Sequence, residues 1–199
     1  MKLKFYQKNI ALFYQILSLG IWVKVQSGES IKNILNRLPG IDLTYIENRI
    51  QTIFLNGHAV DNIDTAIISN NSTIALSAAM PGLVGATFRK SGVYKSLRSE
   101  ISHQSPQKAL SMAHPKKYRI KLKFFNFIAQ EIGFKLLSDE IWIEGNVFQE
   151  FLNQNLKSIA DGCSKLFING KRQSFNQLLK IDFSKEKDIY LTVISGNEK

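Results

Sequence analysis

Histidine, cysteine and paired carboxylates are the side chains from which hydrolytic, redox or metal chemistry is built, and this chain uses them sparingly. His58, His103 and His114 are its histidines, and none falls in a metal-ligand pattern. His58 reads as an exposed turn residue. Cys163 is the one cysteine, which excludes an intramolecular disulfide and a multi-cysteine zinc site. It follows Asp161-Gly162 and reads as a small apolar side chain, with no neighbour in sequence to lower its pKa. Asp61 and Asp64 read as solvated turn residues. Walker A, G-x-S-x-G and G-x-G-x-x-G strings are absent from the sequence. The expectation is a protein that is not an enzyme, with no cofactor and no metal.

Charge is the other source of chemistry. The 199 residues hold 26 Lys and Arg against 16 Asp and Glu, a net charge of +10. Residues 1–88 contribute +2, residues 89–123 contribute +9 and residues 124–199 contribute −1. The excess is therefore local. Arg89, Lys90, Lys95 and Arg98 open this stretch, and Lys116, Lys117 and Arg119 continue it, with Tyr94 and Tyr118 among them. Basic residues interleaved with aromatics suit nucleic acid, through phosphate pairing and stacking. The same stretch holds Ser91, Ser96, Ser99, Ser102, Ser105 and Ser111 with Pro106 and Pro115, the composition of a solvated connector. Just before it, Pro81-Gly82-Leu83-Val84-Gly85-Ala86 has the spacing of a backbone-clamping G-x-x-G loop, but Leu83 and Val84 are apolar. The stretch reads as a flexible exit from a strand, with docking of Met80, Leu83, Val84 and Phe88 onto a neighbouring surface as the sharper alternative.

A hydrophobic content of 44% with 21% charged residues is that of a folded chain. The most apolar run, Ile10 to Val23, lies in a stretch of 15 residues between Lys8 and Lys24, short of the roughly 20 that span a bilayer. It reads as buried strand and turn, with no cleavage site after it. A cytoplasmic protein with no membrane partner is expected.

The elements that would position these groups come in two ordered copies. Lys2-Leu3-Lys4-Phe5 is echoed by Lys121-Leu122-Lys123-Phe124, and Ile21-Trp22-Val23 by Ile141-Trp142-Ile143. Phe54-Leu55-Asn56-Gly57 is echoed by Phe167-Ile168-Asn169-Gly170, and Ile74-Ala75-Leu76-Ser77 by Ile189-Tyr190-Leu191-Thr192. Phe5 to Trp22 spans 17 positions and Phe124 to Trp142 spans 18. Such ordered repetition marks a duplicated unit.

Each copy reads as strand, strand, helix, strand, strand. In the first, Ser30 caps a helix whose stripe is Ile31, Ile34, Leu35 and Leu38, ended by Pro39-Gly40. In the second, Asn146 is the expected cap and Phe148, Phe151, Leu152 and Leu156 the buried stripe. Asn56-Gly57 and Asn169-Gly170 predict tight turns, since both residues tolerate positive φ. One helix across a mixed sheet gives an α+β fold.

The second copy resembles the small β-grasp sulfur carriers of the ubiquitin-like class, the MoaD and ThiS family. The likeness runs from Lys121-Leu122-Lys123-Phe124 through Asn169-Gly170 to the tail Val193-Ile194-Ser195-Gly196, and the first copy is a more diverged version. It implies two β-grasp domains, 1–88 and 117–199, joined by a basic Ser-rich connector at 89–116. Carriers of this family use a terminal Gly-Gly. Here Asn197 follows Ser195-Gly196, so carriage of sulfur would need processing after Gly196. The expected function is that of a non-catalytic adaptor for a protein partner, with nucleic-acid binding through the connector as the alternative.

Overall fold

Alternating apolar and polar residues in 2–7, 73–77 and 117–125 bury every second side chain, as half-buried strands do. A computed structural model describes residues 1–78, 80, 82–90, 92–94, 96, 102–103 and 116–196. In chain order the elements are β1 (Lys2–Gln7), a 3-10 turn (Ile10–Phe13), α1 (Tyr14–Leu19), β2 (Ile21–Gln26), α2 (Ile31–Asn36), α3 (Leu43–Asn48), β3 (Thr52–Leu55), β4 (His58–Ala59), β5 (Thr73–Ser77) and α4 (Gly82–Phe88). Then come β6 (Lys117–Phe125), α5 (Phe127–Ser138), β7 (Ile141–Glu144), α6 (Gly145–Gly162), β8 (Cys163–Ile168), β9 (Lys171–Gln173), α7 (Phe175–Leu178), a 3-10 turn (Phe183–Lys185) and β10 (Asp188–Ser195). The fold is mixed α+β.

The compact units do not follow the expected boundaries at 1–88 and 117–199. One unit joins Met1–Ile21 to Ile132–Lys199, and the other is Trp22–Glu131. In the first unit the strands run β7-β10-β1-β8-β9. β1 lies parallel to β10 and antiparallel to β8, while β10 is antiparallel to β7. In the second the order is β4-β3-β5-β6-β2, with β5 parallel to β6. The first strand of each sequence copy has thus been exchanged into the unit of the other.

The connections permit this. A direct hairpin would hold β1 and β2 together, but the 3-10 turn and α1 intervene where strand and turn were expected. α5 separates β6 from β7 in the same way. Chain of that length frees a strand to pair in parallel elsewhere.

Phenylalanines fill the core of the first unit. Phe13 packs on Phe5 at 5.6 Å and on Phe151 at 5.1 Å, and Phe148 meets Phe183 edge-on at 4.9 Å between ring centres. All five are fully buried. The 18-residue α6 is longer than the short helix expected. It starts at Gly145 with Glu144 in the N-cap position and no side-chain cap, so the expected cap Asn146 lies inside the helix. A Cβ on Gly145 would collide with the Phe183 and Glu186 carbonyls, so only glycine fits this approach. Phe148, Phe151 and Leu152 are buried as expected, but Leu156 is 39% exposed.

In the second unit Ser30 Oγ accepts from the Asn33 N–H at 3.2 Å, capping α2 over buried Ile31, Ile34 and Leu35. Asn56 and Gly57 have φ of 51° and 85°, and Asn169 and Gly170 have 49° and 80°, so both expected turns form in the left-handed region.

Candidate functional site

β1 exposes Lys4 and Tyr6 on the face opposite Leu3 and Phe5 because side chains alternate along a strand. Register then sets their neighbours. Across β10, Lys2 stands beside Tyr190, Lys4 beside Thr192 and Tyr6 beside Ile194. Across β8, Lys4 stands beside Phe167 and Tyr6 beside Lys165. Trp142 on β7 pairs with Tyr190, and Arg172 on β9 with Phe167. Residues directly opposite in a ladder share a face, so this first unit gathers four aromatic rings and four cations on the side of its sheet away from the phenylalanine core.

The rings and cations touch. Trp142 stacks on Tyr190 at 6.2 Å with planes 19° apart, and its Nε1–H donates to Asp188 at 2.9 Å. Tyr6 meets Phe167 at 6.0 Å. Lys4 and Lys165 lie 5.4 and 5.5 Å from the centre of the Tyr6 ring, within cation–π range. Lys2 pairs with Glu140 at 3.0 Å. A recess of about 410 Å3 opens among Lys2, Lys4, Tyr6, Glu140, Phe167 and Thr192. The rings are half-buried, the ammonium groups reach solvent, and the acids Asp188 and Glu144 lie together at the β7 end of the face.

The second unit carries a basic row. Lys117, Arg119, Lys121 and Lys123 alternate along β6 with buried Ile120, Leu122 and Phe124. Arg119 and Lys121 flank the Trp22 ring at 4.6 and 4.7 Å. Four of the ten basic residues of 89–123 therefore lie on a strand.

The residues singled out from the sequence have other surroundings. Met80 precedes α4, which contains Gly82, Leu83, Val84 and Gly85, so the expected strand exit is helical. Gly82 starts that helix at φ +77°, and Leu83 is 67% exposed. A Cβ on Gly85 would stand 2.7 Å from that of Met80, so this turn is closed tightly. Phe88 docks on Phe54 of its own unit at 5.3 Å. Arg89 edges a recess of about 410 Å3 that includes Asn48, Arg49, Gln51 and Phe127. Lys90 turns inward: its Nζ donates to the Ile46 carbonyl at 3.0 Å, and burial lowers its pKa against the raising effect of Glu47. Lys95 and Arg98 lie outside the described residues.

At the other end, Ser195 closes β10 and the Gly196 N–H donates to the Gln7 carbonyl at 2.9 Å. The Cys163 thiol donates to the Lys165 carbonyl at 3.5 Å, and burial pushes its pKa up. His103 Nε2 is buried without a hydrogen-bond partner, and burial, helped by nearby His58, pushes its pKa down. Among the described residues no three His, Cys, Asp or Glu side chains cluster as metal ligands, and no helix is long and apolar enough to cross a membrane. No protein-family model, curated protein or solved structure matches the chain.

Binding through an open sheet face or a strand edge is what the sequence reading implies, but the residues on these faces were not singled out, though a signal existed. Lys2-x-Lys4-x-Tyr6 and Lys117-x-Arg119-x-Lys121-x-Lys123 alternate with apolar residues at the period of a strand.

Proposed function

We propose that this chain is a non-catalytic interaction protein, built from two β-grasp-like units related to the MoaD and ThiS carriers. It holds an anionic partner on the open sheet face of its first unit. The β-grasp reading rests on a central parallel pair flanked by antiparallel strands in the first unit, with the matching parallel pair β5 and β6 in the second. The functional reading rests on one observation: Lys4, Lys165 and Arg172 stand on the same face as Tyr6 and Phe167. Positive charge steers an acidic surface into place, and the rings supply contact area.

The test is recovery of partners by the tagged full chain under native conditions, compared with Lys4→Glu/Lys165→Glu. A partner captured by the wild type and lost from the charge-reversed variant is the expected result. Equal recovery by both proteins would remove the sheet face from the reading. Intact mass in the same preparation examines the carrier alternative, which requires a chain ending at Gly196.

A further inference from the structure

The face also carries information about its ligand. Cations alone would suit any polyanion, and rings alone any apolar patch. Here they alternate. Tyr6 is flanked by Lys4 and Lys165, and Phe167 is flanked in register by Lys4 and Arg172. Trp142 and Tyr190 extend the aromatic surface as a stacked pair. A ligand matching this pattern has flat aromatic groups along a chain of negative charges. A nucleic-acid strand with unstacked bases offers both at every residue along its backbone, whereas in a duplex the base faces are hidden inside the helix.

We infer that the open sheet face of the first unit binds single-stranded nucleic acid, with bases stacking on Tyr6 and Phe167 and phosphates meeting Lys4, Lys165 and Arg172. This deepens the reading of that face as the binding surface and depends on it. The acids mark the limit of the track. Asp188 and Glu144 pair at the β7 end, so the backbone runs along the β1–β8–β9 side, where Lys4, Lys165 and Arg172 lie. The recess of about 410 Å3 beside Lys4, Tyr6, Phe167 and Thr192 lies on the same side, and Lys2 pairs at 3.0 Å with Glu140, the one acid that lines it. The 89–116 connector has no part in this assignment.

The experiment is fluorescence anisotropy of the full chain with a labelled oligothymidylate of about 12 nucleotides, within the footprint of known sheet platforms. Long-chain inorganic polyphosphate and the matching duplex serve as comparison probes. Tyr6→Leu and Phe167→Leu keep apolar bulk but remove the π face, and their thermal midpoints confirm folding. Each is expected to weaken oligothymidylate binding by roughly fivefold or more, the loss of about one stacked base. Polyphosphate binding should be unchanged by them and reduced by Lys4→Glu/Lys165→Glu. Affinity for the oligonucleotide should fall linearly in log–log form with salt. In a Trp22→Phe background, Trp142 fluorescence should change on binding.

Folded leucine variants that bind the oligonucleotide as tightly as wild type would overturn the inference. So would a duplex bound as tightly as the single strand, or no oligonucleotide binding at all. If that happens while partner capture still depends on Lys4 and Lys165, the interaction reading stands and only the nucleic-acid assignment falls. If charge reversal changes neither assay, both fall.

Discussion

The carboxamide of Gln7 occupies the space that a side chain on Gly162 would need. Gln7 is 1% exposed, and its Nε2 donates to the Ile159 carbonyl at 3.1 Å. Its Oε1 accepts from the Lys8 N–H at 3.0 Å, and that N–H also reaches the Gly162 carbonyl at 3.0 Å. A Cβ on Gly162 would stand 2.8 Å from the amide carbon of Gln7. The end of β1 therefore closes the last turn of α6, where helix carbonyls lack partners of their own. Two residues 155 positions apart share one small volume.

Competition for that volume predicts a non-additive pair. Gly162→Ala alone should cost about 1–3 kcal/mol by overpacking. Gln7→Ala alone should cost about 1 kcal/mol for its lost hydrogen bonds. The double variant should be more stable than the sum implies, by roughly 1 kcal/mol. Urea unfolding of the four proteins measures the coupling, and strict additivity would show that the two sites do not compete.

The strand exchange has a sharper consequence at Phe13. Its ring lies between Phe5 and Phe151, fully buried. Phe13→Ala should cost about 3–5 kcal/mol, and the loss should appear in the unit that holds Trp142 although Phe13 belongs to the first sequence copy. Single-tryptophan versions, Trp22→Phe and Trp142→Phe, report the two units separately. The denaturation midpoint followed at Trp142 should fall. A fall confined to Trp22 would return β1 to the half in which the sequence places it.

Elements were legible in the sequence because their determinants are local. The Ser30 cap, the Ile31-Ile34-Leu35 stripe and both Asn-Gly turns depend on side chains within a few residues, and each forms. Pairing was not legible. Lys2-Leu3-Lys4-Phe5 and Lys121-Leu122-Lys123-Phe124 bury Leu and Phe and expose Lys in the same alternation. Either strand satisfies either sheet by pattern alone. α1 was missed because its apolar run read as buried strand and turn, and α5 was not singled out although Ile128, Ile132 and Leu136 recur at helical spacing. The basic–aromatic face was hidden because it assembles across β7, β10, β1, β8 and β9, and no window along the chain contains it.

Cys163 should prove unreactive. Burial raises its pKa more than the backbone hydrogen bond of Lys165 lowers it, so little thiolate exists near neutral pH, and thiolate is the reactive form. Alkylation by iodoacetamide should be severalfold slower in the native protein than in the urea-unfolded chain. Equal rates would indicate an accessible thiol and reopen a role in nucleophilic chemistry.

Acid should act through Glu131. Its carboxylate accepts from the Arg49 guanidinium, a close ion pair, and from the Tyr45 hydroxyl at 2.7 Å. The Arg49 hydrogen bond holds the carboxyl below its ordinary value of 4.5, more strongly than burial opposes. A carboxylate with a depressed pKa stabilises the fold above its unfolded pKa and loses that contribution as pH falls through the folded value. Wild type should therefore be more stable than Glu131→Gln at pH 7, and the gap should narrow toward pH 3. The group is largely exposed, so the gap is small and shrinks in high salt. Tyr45 acts at the other extreme. Burial first, then Glu131, raises its phenol well above the ordinary 10.0. Past pH 10 the unfolded chain releases that proton before the folded one does, so stability should fall, and less steeply in Tyr45→Phe. Urea midpoints of the three proteins across pH 3–11 check both arms. A wild-type gap over Glu131→Gln that does not vary with pH would mean that the Arg49 pairing leaves the Glu131 carboxyl unshifted.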